Sequence, residues 1–359
     1  MKKGKILIIA EAGVNHNGDL ELAKQLIDVA AEAGADIVKF QTFKASKLAA
    51  ASAVQAEYQV KNTGKSESQL EMLKKLELKY EDHFLLVEYC KNKNIEFLST
   101  AFDEESLDFL VNDLGQKLLK IPSGEITNAP LLLAHAKTGL DIILSTGMAT
   151  LSEIETALSI IAFGYCHCTE APSMDSFGKA YFSDEGKAYL KEKVTILHCT
   201  TEYPAPLSDI NLNAMATIEQ AFKLRVGYSD HSEGVLVPTV AASKGATIIE
   251  KHFTLDRNME GPDHKASLEP KELTEMISLI RKVELVEGDG IKGPRPSEIK
   301  NKPIARKSIV AARKINKNDI IKADDIAIKR PGNGISPINY WDVIGTLANK
   351  DFNKDELIV

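Results

Sequence analysis

Arg225-Val226-Gly227-Tyr228-Ser229-Asp230-His231, then Val235-Leu236-Val237-Pro238-Thr239-Val240-Ala241-Ala242, then Thr247-Ile248-Ile249-Glu250-Lys251-His252: an extended run, an apolar stretch of helical length and a second extended run decide how this chain folds. In a repeating strand–helix chain this spacing places two neighbouring parallel strands side by side, with His231 and His252 on the same rim of the sheet. Two neutral imidazoles side by side, completed by water or substrate, form an open divalent-metal site suited to Lewis-acid chemistry.

The same alternation extends outward almost to both ends. Strand-like runs cover Lys5–Ala12, Ile37–Thr42, Glu96–Phe102, Lys117–Pro122, Asp141–Thr146, Val194–Thr200, Arg225–Ser229 and Ala246–His252. Intervening segments such as Asp19–Gly34, Glu81–Asn94 and Ser152–Phe163 repeat apolar residues at helical spacing. Eight strand–helix units with strands apolar on both faces predict an α/β chain, a closed (β/α)8 TIM barrel over residues 1–290. An open doubly wound sheet is the main alternative, and the first strand is not followed by the Gly-x-Gly-x-x-Gly turn of its dinucleotide-binding form. Gly293-Pro294-Arg295-Pro296 marks a linker over 291–303, and residues 304–359 read as a small, turn-rich domain without a helix longer than about two turns.

Two long stretches interrupt the barrel rhythm. Residues 43–80 follow the second strand, on the side where barrel active sites are built. Residues 164–193, rich in aromatics, fall on the opposite face and are expected to pack on the barrel or on a partner subunit.

Composition narrows the function. The 359 residues are 44% hydrophobic and carry a net charge of −7, which leaves no basic excess for nucleic acid. Residues 304–359 hold ten Lys/Arg against seven Asp/Glu, a mildly basic tail on an acidic body. Cys90, Cys166, Cys168 and Cys199 show no disulfide framework, and the Cys166-His167-Cys168 spacing matches no zinc motif. Glu11 interrupts the apolar run Ile6–Ala10 too early for a signal peptide, and no run of ~20 apolar residues could span a bilayer. The expected location is the cytoplasm, with no membrane partner.

Polar residues gather at the predicted strand ends: Glu11; Lys39 and Gln41; Ser99 and Thr100; Lys120, Ser123 and Glu125; Ser145, Thr146 and Gly147; His198, Thr200, Thr201 and Tyr203; Ser229, His231 and His252. Inward lysines are expensive to bury unless they meet an anion. With several hydroxyls they describe a cradle for a small phosphate or carboxylate. Lys39 or Lys120 could instead form an imine, as in a pyruvate aldolase, although a dihistidine metal site makes an imine redundant.

These motifs carry a resemblance. Ile9-Ala10-Glu11-Ala12-Gly13-Val14-Asn15-His16-Asn17-Gly18, Lys39-Phe40-Gln41-Thr42, Lys120-Ile121-Pro122-Ser123-Gly124-Glu125, Ser145-Thr146-Gly147-Met148, Leu197-His198-Cys199-Thr200-Thr201-Glu202-Tyr203-Pro204, Gly227-Tyr228-Ser229-Asp230-His231-Ser232, Glu250-Lys251-His252-Phe253-Thr254, Gly261-Pro262-Asp263-His264 and Lys329-Arg330-Pro331-Gly332-Asn333-Gly334 resemble, in order, the N-acetylneuraminate (sialic acid) synthase family, including bacterial legionaminate synthases. The tail resembles the antifreeze-like SAF (β-clip) domain that follows the barrel there.

The resemblance implies condensation of phosphoenolpyruvate with an N-acylated mannose-type sugar, N-acetylmannosamine or 2,4-diacetamido-2,4,6-trideoxymannose. The products would be a nonulosonic acid and phosphate, with C–O cleavage of phosphoenolpyruvate. It implies a divalent cofactor on His231 and His252, usually manganese, with magnesium or cobalt as alternatives. Lys39, Thr100, Lys120, Ser123, Ser145 and Ser229 match phosphoenolpyruvate-binding positions, and Glu11 the carboxylate near the reacting centre. Gln41, Glu125, Tyr203 and Asp263 match sugar contacts. Arg330 matches an arginine delivered into the other subunit of a domain-swapped homodimer. One departure is that some relatives carry Asn within the segment that here reads Cys199-Thr200-Thr201-Glu202-Tyr203-Pro204.

Overall fold

The computed structural model describes residues 4–64 and 67–359. The chain forms two compact units, Met1–Asp289 and Gly290–Val359. In the first, eight parallel strands alternate with helices: β1 (Leu7–Gly13), α1 (Leu20–Ala33), β2 (Ile37–Thr42), α2 (Ala45–Leu48), α3 (Glu57–Thr63), α4 (Gln69–Leu76), α5 (Tyr80–Lys93), β3 (Glu96–Ala101), α6 (Glu104–Asp108), β4 (Leu118–Ile121), α7 (Ala129–Lys137), β5 (Asp141–Ser145), α8 (Leu151–Tyr165), α9 (Met174–Phe182), α10 (Asp184–Lys193), β6 (Val194–Cys199), α11 (Asn213–Phe222), β7 (Arg225–Asp230), α12 (Leu236–Ser243), β8 (Ile248–His252) and α13 (Pro270–Val286).

The hydrogen-bonded order is β3-β2-β1-β8-β7-β6-β5-β4, so the ring is laddered everywhere except between β3 and β4. The Gln116 side chain bridges that seam. The Gln116 amide oxygen accepts from Ser99 N (2.8 Å), and its nitrogen donates to the carbonyls of Ser99 (3.0 Å) and Leu118 (2.9 Å). The barrel is nearly closed, as the strand pattern predicts.

Two-residue periodicity builds the interior in layers. Ile9, Ile37, Leu98, Ile143, Leu197 and Ile248 form an inner apolar plug. Two residues further along most of these strands the inward positions turn polar: Glu11, Lys39, Thr100, Ser145, Cys199 and Glu250, with Lys120 and Ser229 on β4 and β7. The intervening residues, such as Ile8, Ala10, Val38, Phe40 and Leu144, face outward into a second core under the helices. Helix ends follow local chemistry. Asp19 caps α1 by accepting from Glu21 N and Leu22 N, and Thr150 with Glu153 forms a capping box on α8.

The two interruptions divide as expected. α2 and α4 make a small core with Val14 and Phe43 through Ala45, Met72 and Leu76. α9 and α10 pack on α8, where Phe163 meets Phe177 edge-on (5.2 Å) and Tyr165 meets Tyr189 (5.9 Å).

In the second unit, Ser308–Ala311 (β9) pairs antiparallel with Ile326–Lys329 (β10), over a core that includes Ile309, Ile315, Ile321 and Phe352. The stretch read as a linker contains two short helical turns, Pro296–Ile299 and Lys302–Ala305. Proline at the start of each supplies a preset φ without losing a needed N–H.

Candidate active site

Thirteen of the fourteen sequence-selected site residues line one cavity of about 320 Å³ at the carboxyl ends of the strands. Arg330 is the exception. It belongs to the second unit, where its Nε donates to the Ala305 carbonyl (3.0 Å).

One end of the cavity is charged. Lys39 Nζ lies 2.5 Å from Glu11 Oε2, 3.4 Å from Glu250 Oε2 and 3.2 Å from Thr100 Oγ1, while Lys120 Nζ lies 3.5 Å from Glu250 Oε1. All four ionisable groups are buried. Removing such charges from water costs several kcal/mol per ion, an expense that only close, well-directed partners offset. Burial opposes the charge on Lys39, but Glu11 and Glu250 outweigh it and hold the ammonium above its ordinary pKa. Lys120 has weaker support, so burial, together with repulsion from Lys39, pulls it below. The acids diverge in turn. Burial drives Glu11 above the usual carboxylate range, against Lys39. At Glu250, Lys120, Lys39 and the Ser229 hydroxyl (2.8 Å) overcome burial and hold it below.

Beside Lys120 is a cradle of small donors. Gly147 N donates to Ser123 Oγ (2.9 Å), which lies 3.1 Å from Cys199 Sγ. The hydroxyls of Ser145 and Thr201 are buried without a hydrogen-bond partner among the described residues. Glycine at position 147 keeps this space open, because a Cβ there would lie 2.2 Å from Thr201 Oγ1 and 2.9 Å from Ser123 Oγ and would displace both hydroxyls. Unspent donors beside a buried ammonium suit a phosphate or carboxylate.

The other end is made of neutral rings. His231 and His252 lie 5.5 Å apart between ring centroids. His231 Nδ1 donates to the Thr200 carbonyl (2.6 Å), which leaves the Nε2 lone pair directed toward Tyr203 Oη at 3.2 Å. Burial lowers His231 to about 4 and His252 well below its ordinary value, the latter helped by the His231 ring and Lys39. Both imidazoles are therefore neutral at physiological pH, and His252 Nδ1 is buried without a partner among the described residues. A neutral ring oriented by a carbonyl, next to an unpartnered ring nitrogen, fits two ligands of an open metal site. Among the described residues no three His, Cys, Asp or Glu groups cluster closely enough to complete one, so water and substrate would supply the remaining positions.

The wall above the rings comes from the 43–80 stretch and the loop after β8. Tyr58 packs tilted against Tyr203 (ring centroids 5.1 Å, planes at 31°), and Leu48, Met72, Leu73 and Leu76 add an apolar face. Asp263 faces the cavity from the other loop, and burial raises it to about 6. Gln41 Nε2 reaches Glu11 Oε1 (3.4 Å), and Glu125 accepts from Asn128 Nδ2 (2.7 Å).

Four residues grouped at the strand ends by sequence stand apart from the cavity. His198 faces outward, bonded to the Ile210 carbonyl (2.8 Å) and packed on Tyr228, because its neighbour Leu197 takes the inward position. Ser99 is outward by the same alternation and bonds Thr42 Oγ1 (2.7 Å). Thr146 and Thr200 spend their hydroxyls on the carbonyls of Leu197 (2.9 Å) and Asp209 (3.3 Å). In the other direction, Glu250, Cys199 and Tyr58 belong to the cavity beyond the residues expected there, while Thr201, grouped with the strand-end hydroxyls, does line it. For Glu250 a signal was present: it is two residues before His252, and so on the same face of β8.

A polar cavity at the carboxyl ends of eight parallel strands is where barrel enzymes hold their chemistry, and its lysines and free hydroxyls define one that acts on an anion. The chain belongs to the NeuB family, which residues 26–292 match, and residues 306–359 match the SAF domain. It is 51% identical over 354 residues, 99% of this chain and of the relative, to the N,N'-diacetyllegionaminic acid synthase of Campylobacter jejuni. Identity to the protein of that name from Legionella pneumophila is 47% over 339 residues, covering 94% of this chain and 89% of that one. Among solved structures, the N-acetylneuraminic acid (sialic acid) synthetase of Leptospira borgpetersenii in complex with citrate matches with TM-score 0.66 and 36% identity, over 83% of this chain and 90% of the other. The family and barrel fold expected from the motifs are thus shown. Among the described residues, no helix is long and apolar enough to cross a membrane.

Proposed function

We propose that this enzyme condenses phosphoenolpyruvate with 2,4-diacetamido-2,4,6-trideoxymannose to give a legionaminate-type nonulosonic acid and phosphate. The observation that carries the reading is the division of one cavity into a lysine–hydroxyl end and a neutral imidazole–tyrosine end. The choice of sugar draws on the 51% and 47% identity to relatives named for the diacetylated product. It is supported by the apolar face of Leu48, Met72, Leu73 and Leu76, which suits a C6 methyl and an acetamido methyl better than a hydroxymethyl group.

In this reading Lys39, Lys120, Ser123 and Ser145 hold the phosphate and carboxylate of phosphoenolpyruvate, with Thr100 and Ser229 steadying Lys39 and Glu250. His231 and His252 would hold a divalent ion, manganese by preference, whose contribution is Lewis-acid polarisation of the open-chain sugar aldehyde. The methylene carbon of phosphoenolpyruvate attacks that aldehyde, and positive charge develops at C2. Glu11, held above its ordinary pKa, orients the water that adds to C2 and takes its proton. The proton on Glu11 passes to the new alkoxide, and C–O cleavage expels phosphate, which takes the C2 hydroxyl proton as the ketone forms. Gln41, Glu125, Tyr203 and Asp263 position the sugar. The functional unit would be a homodimer in the cytoplasm, each site completed by Arg330 of the other subunit.

The test is phosphate release from phosphoenolpyruvate with manganese and each candidate sugar. The diacetamido sugar should be turned over with the higher kcat/KM. Release with neither sugar, or a borohydride-trappable adduct that survives chelation, would replace this reading with a lysine-imine aldolase. Mixed dimers of Arg330→Ala and His231→Ala subunits should recover activity if sites are shared between subunits.

A further inference from the structure

Behind the two histidines, on the outward face of the same strands, is a second ionic group that the chemistry above does not use. Asp230 and Lys251 have no solvent exposure at all. Lys251 Nζ donates to Asp230 Oδ2 at 2.6 Å and also to the Ser232 carbonyl. Ser232 in turn donates through its hydroxyl to both Asp230 oxygens (2.8 and 3.0 Å) and through its amide to Oδ1 (3.2 Å). One ammonium beside His252 is therefore tied to the residues on both sides of His231.

Its place in the ladder gives this meaning. The pairing of β7 with β8 runs Tyr228↔Ile249, Ser229↔Glu250 and Asp230↔Lys251. One residue further the strands part: the His231 carbonyl accepts from Ala205 N and the His252 carbonyl from Leu268 N, each at 2.9 Å. The imidazoles thus stand just past the last backbone pairing, and the Asp230–Lys251 bond is the cross-strand link directly behind them. Stability alone does not account for it. A buried ion pair is often no more stabilising than an apolar pair of similar volume, and its best-attested use is to fix one geometry.

We propose that Asp230, Lys251 and Ser232 form a staple that sets the separation of His231 and His252, and through it the affinity of the site for a divalent cation. They are positioning residues, since none faces the cavity. The proposal rests on the reading of His231 and His252 as metal ligands, and the experiment separates the two ideas.

Manganese binding to the full-length protein is measured by isothermal titration calorimetry, alongside thermal unfolding, for wild type, His231→Ala, Asp230→Leu/Lys251→Met and Ser232→Ala. The apolar double variant should unfold at or above the wild-type temperature, yet bind manganese more weakly by roughly tenfold or more, the range known for groups that orient ligands. Ser232→Ala, which loosens the staple and keeps its charges, should weaken binding by a smaller factor at unchanged stability. A folded double variant with wild-type manganese affinity overturns the proposal. If the double variant does not fold, unchanged affinity in Ser232→Ala overturns it instead, and weakened affinity supports it. Wild-type affinity in His231→Ala would remove the metal reading itself, and the staple with it.

Discussion

The two ends of the cavity solve opposite electrostatic problems. At one end two lysines and two glutamates are packed within 2.5 to 3.5 Å of one another, so that buried charges neutralise each other before any substrate arrives. At the other end burial has stripped the charge from both imidazoles and raised Tyr203 well above its usual pKa, leaving neutral rings. A balanced cluster can accept an anion by exchanging partners, and a proton on Glu11 would tip it positive. A neutral, lone-pair-bearing end can accept a cation or a polarised carbonyl. In the proposed reaction the charged end takes phosphoenolpyruvate and the ring end the sugar aldehyde, with Ser229, 3.5 Å from His231 Nε2 and 2.8 Å from Glu250 Oε1, at the border between them.

That contrast breaks most visibly at the rings and lysines. His252→Ala should lower kcat/KM by more than about 10³-fold, beyond the ~10²–10³ expected from deleting one electrostatic donor. Lys120→Met should fall within that lower range, with its loss concentrated in the KM for phosphoenolpyruvate. Steady-state kinetics at saturating manganese check both, and equal losses shared between both substrates would erase the division. Tyr58→Ala sharpens the comparison from the sugar side. Loss of its ring contact with Tyr203, worth about 0.5–1.5 kcal/mol, should raise the sugar KM up to roughly tenfold and leave the KM for phosphoenolpyruvate alone.

A smaller effect concerns Asp263, which burial lifts to about 6. An unfolded Asp titrates near ~3.9. Between those values the folded chain retains a proton that the unfolded chain has lost, so the stability this group contributes falls as pH rises through that window. Asp263→Asn should therefore gain stability relative to wild type between pH 4 and 7, read by chemical denaturation at both ends. An unchanged difference would mean that the carboxyl ionises as if solvated.

Much of this was legible in the chain. Strands apolar on both faces fit a covered parallel sheet, and the spacing of His231 and His252 puts them on adjacent strands by sequence alone. What escaped the sequence depends on which way a side chain turns. His198 and Ser99 stand at strand ends like their functional neighbours, yet a one-residue alternation sends them outward. Glu250 reads as an ordinary strand acid until two lysines from β2 and β4 converge on it. The Tyr58–Tyr203 contact joins segments far apart in sequence, and the Gln116 bridge fills the β3–β4 seam with a side chain whose orientation no periodicity encodes.

In the proposed mechanism the charged end binds phosphate without attacking phosphorus, while Glu11 directs water to carbon. Phosphoenolpyruvate labelled with heavy oxygen at the bridge between C2 and phosphorus tests it directly by mass spectrometry of both products. C–O cleavage carries the bridging oxygen away, so labelled inorganic phosphate and an unlabelled sugar acid are expected. Label retained at the ketone carbon of the sugar acid would show that water attacks phosphorus and would overturn this mechanism.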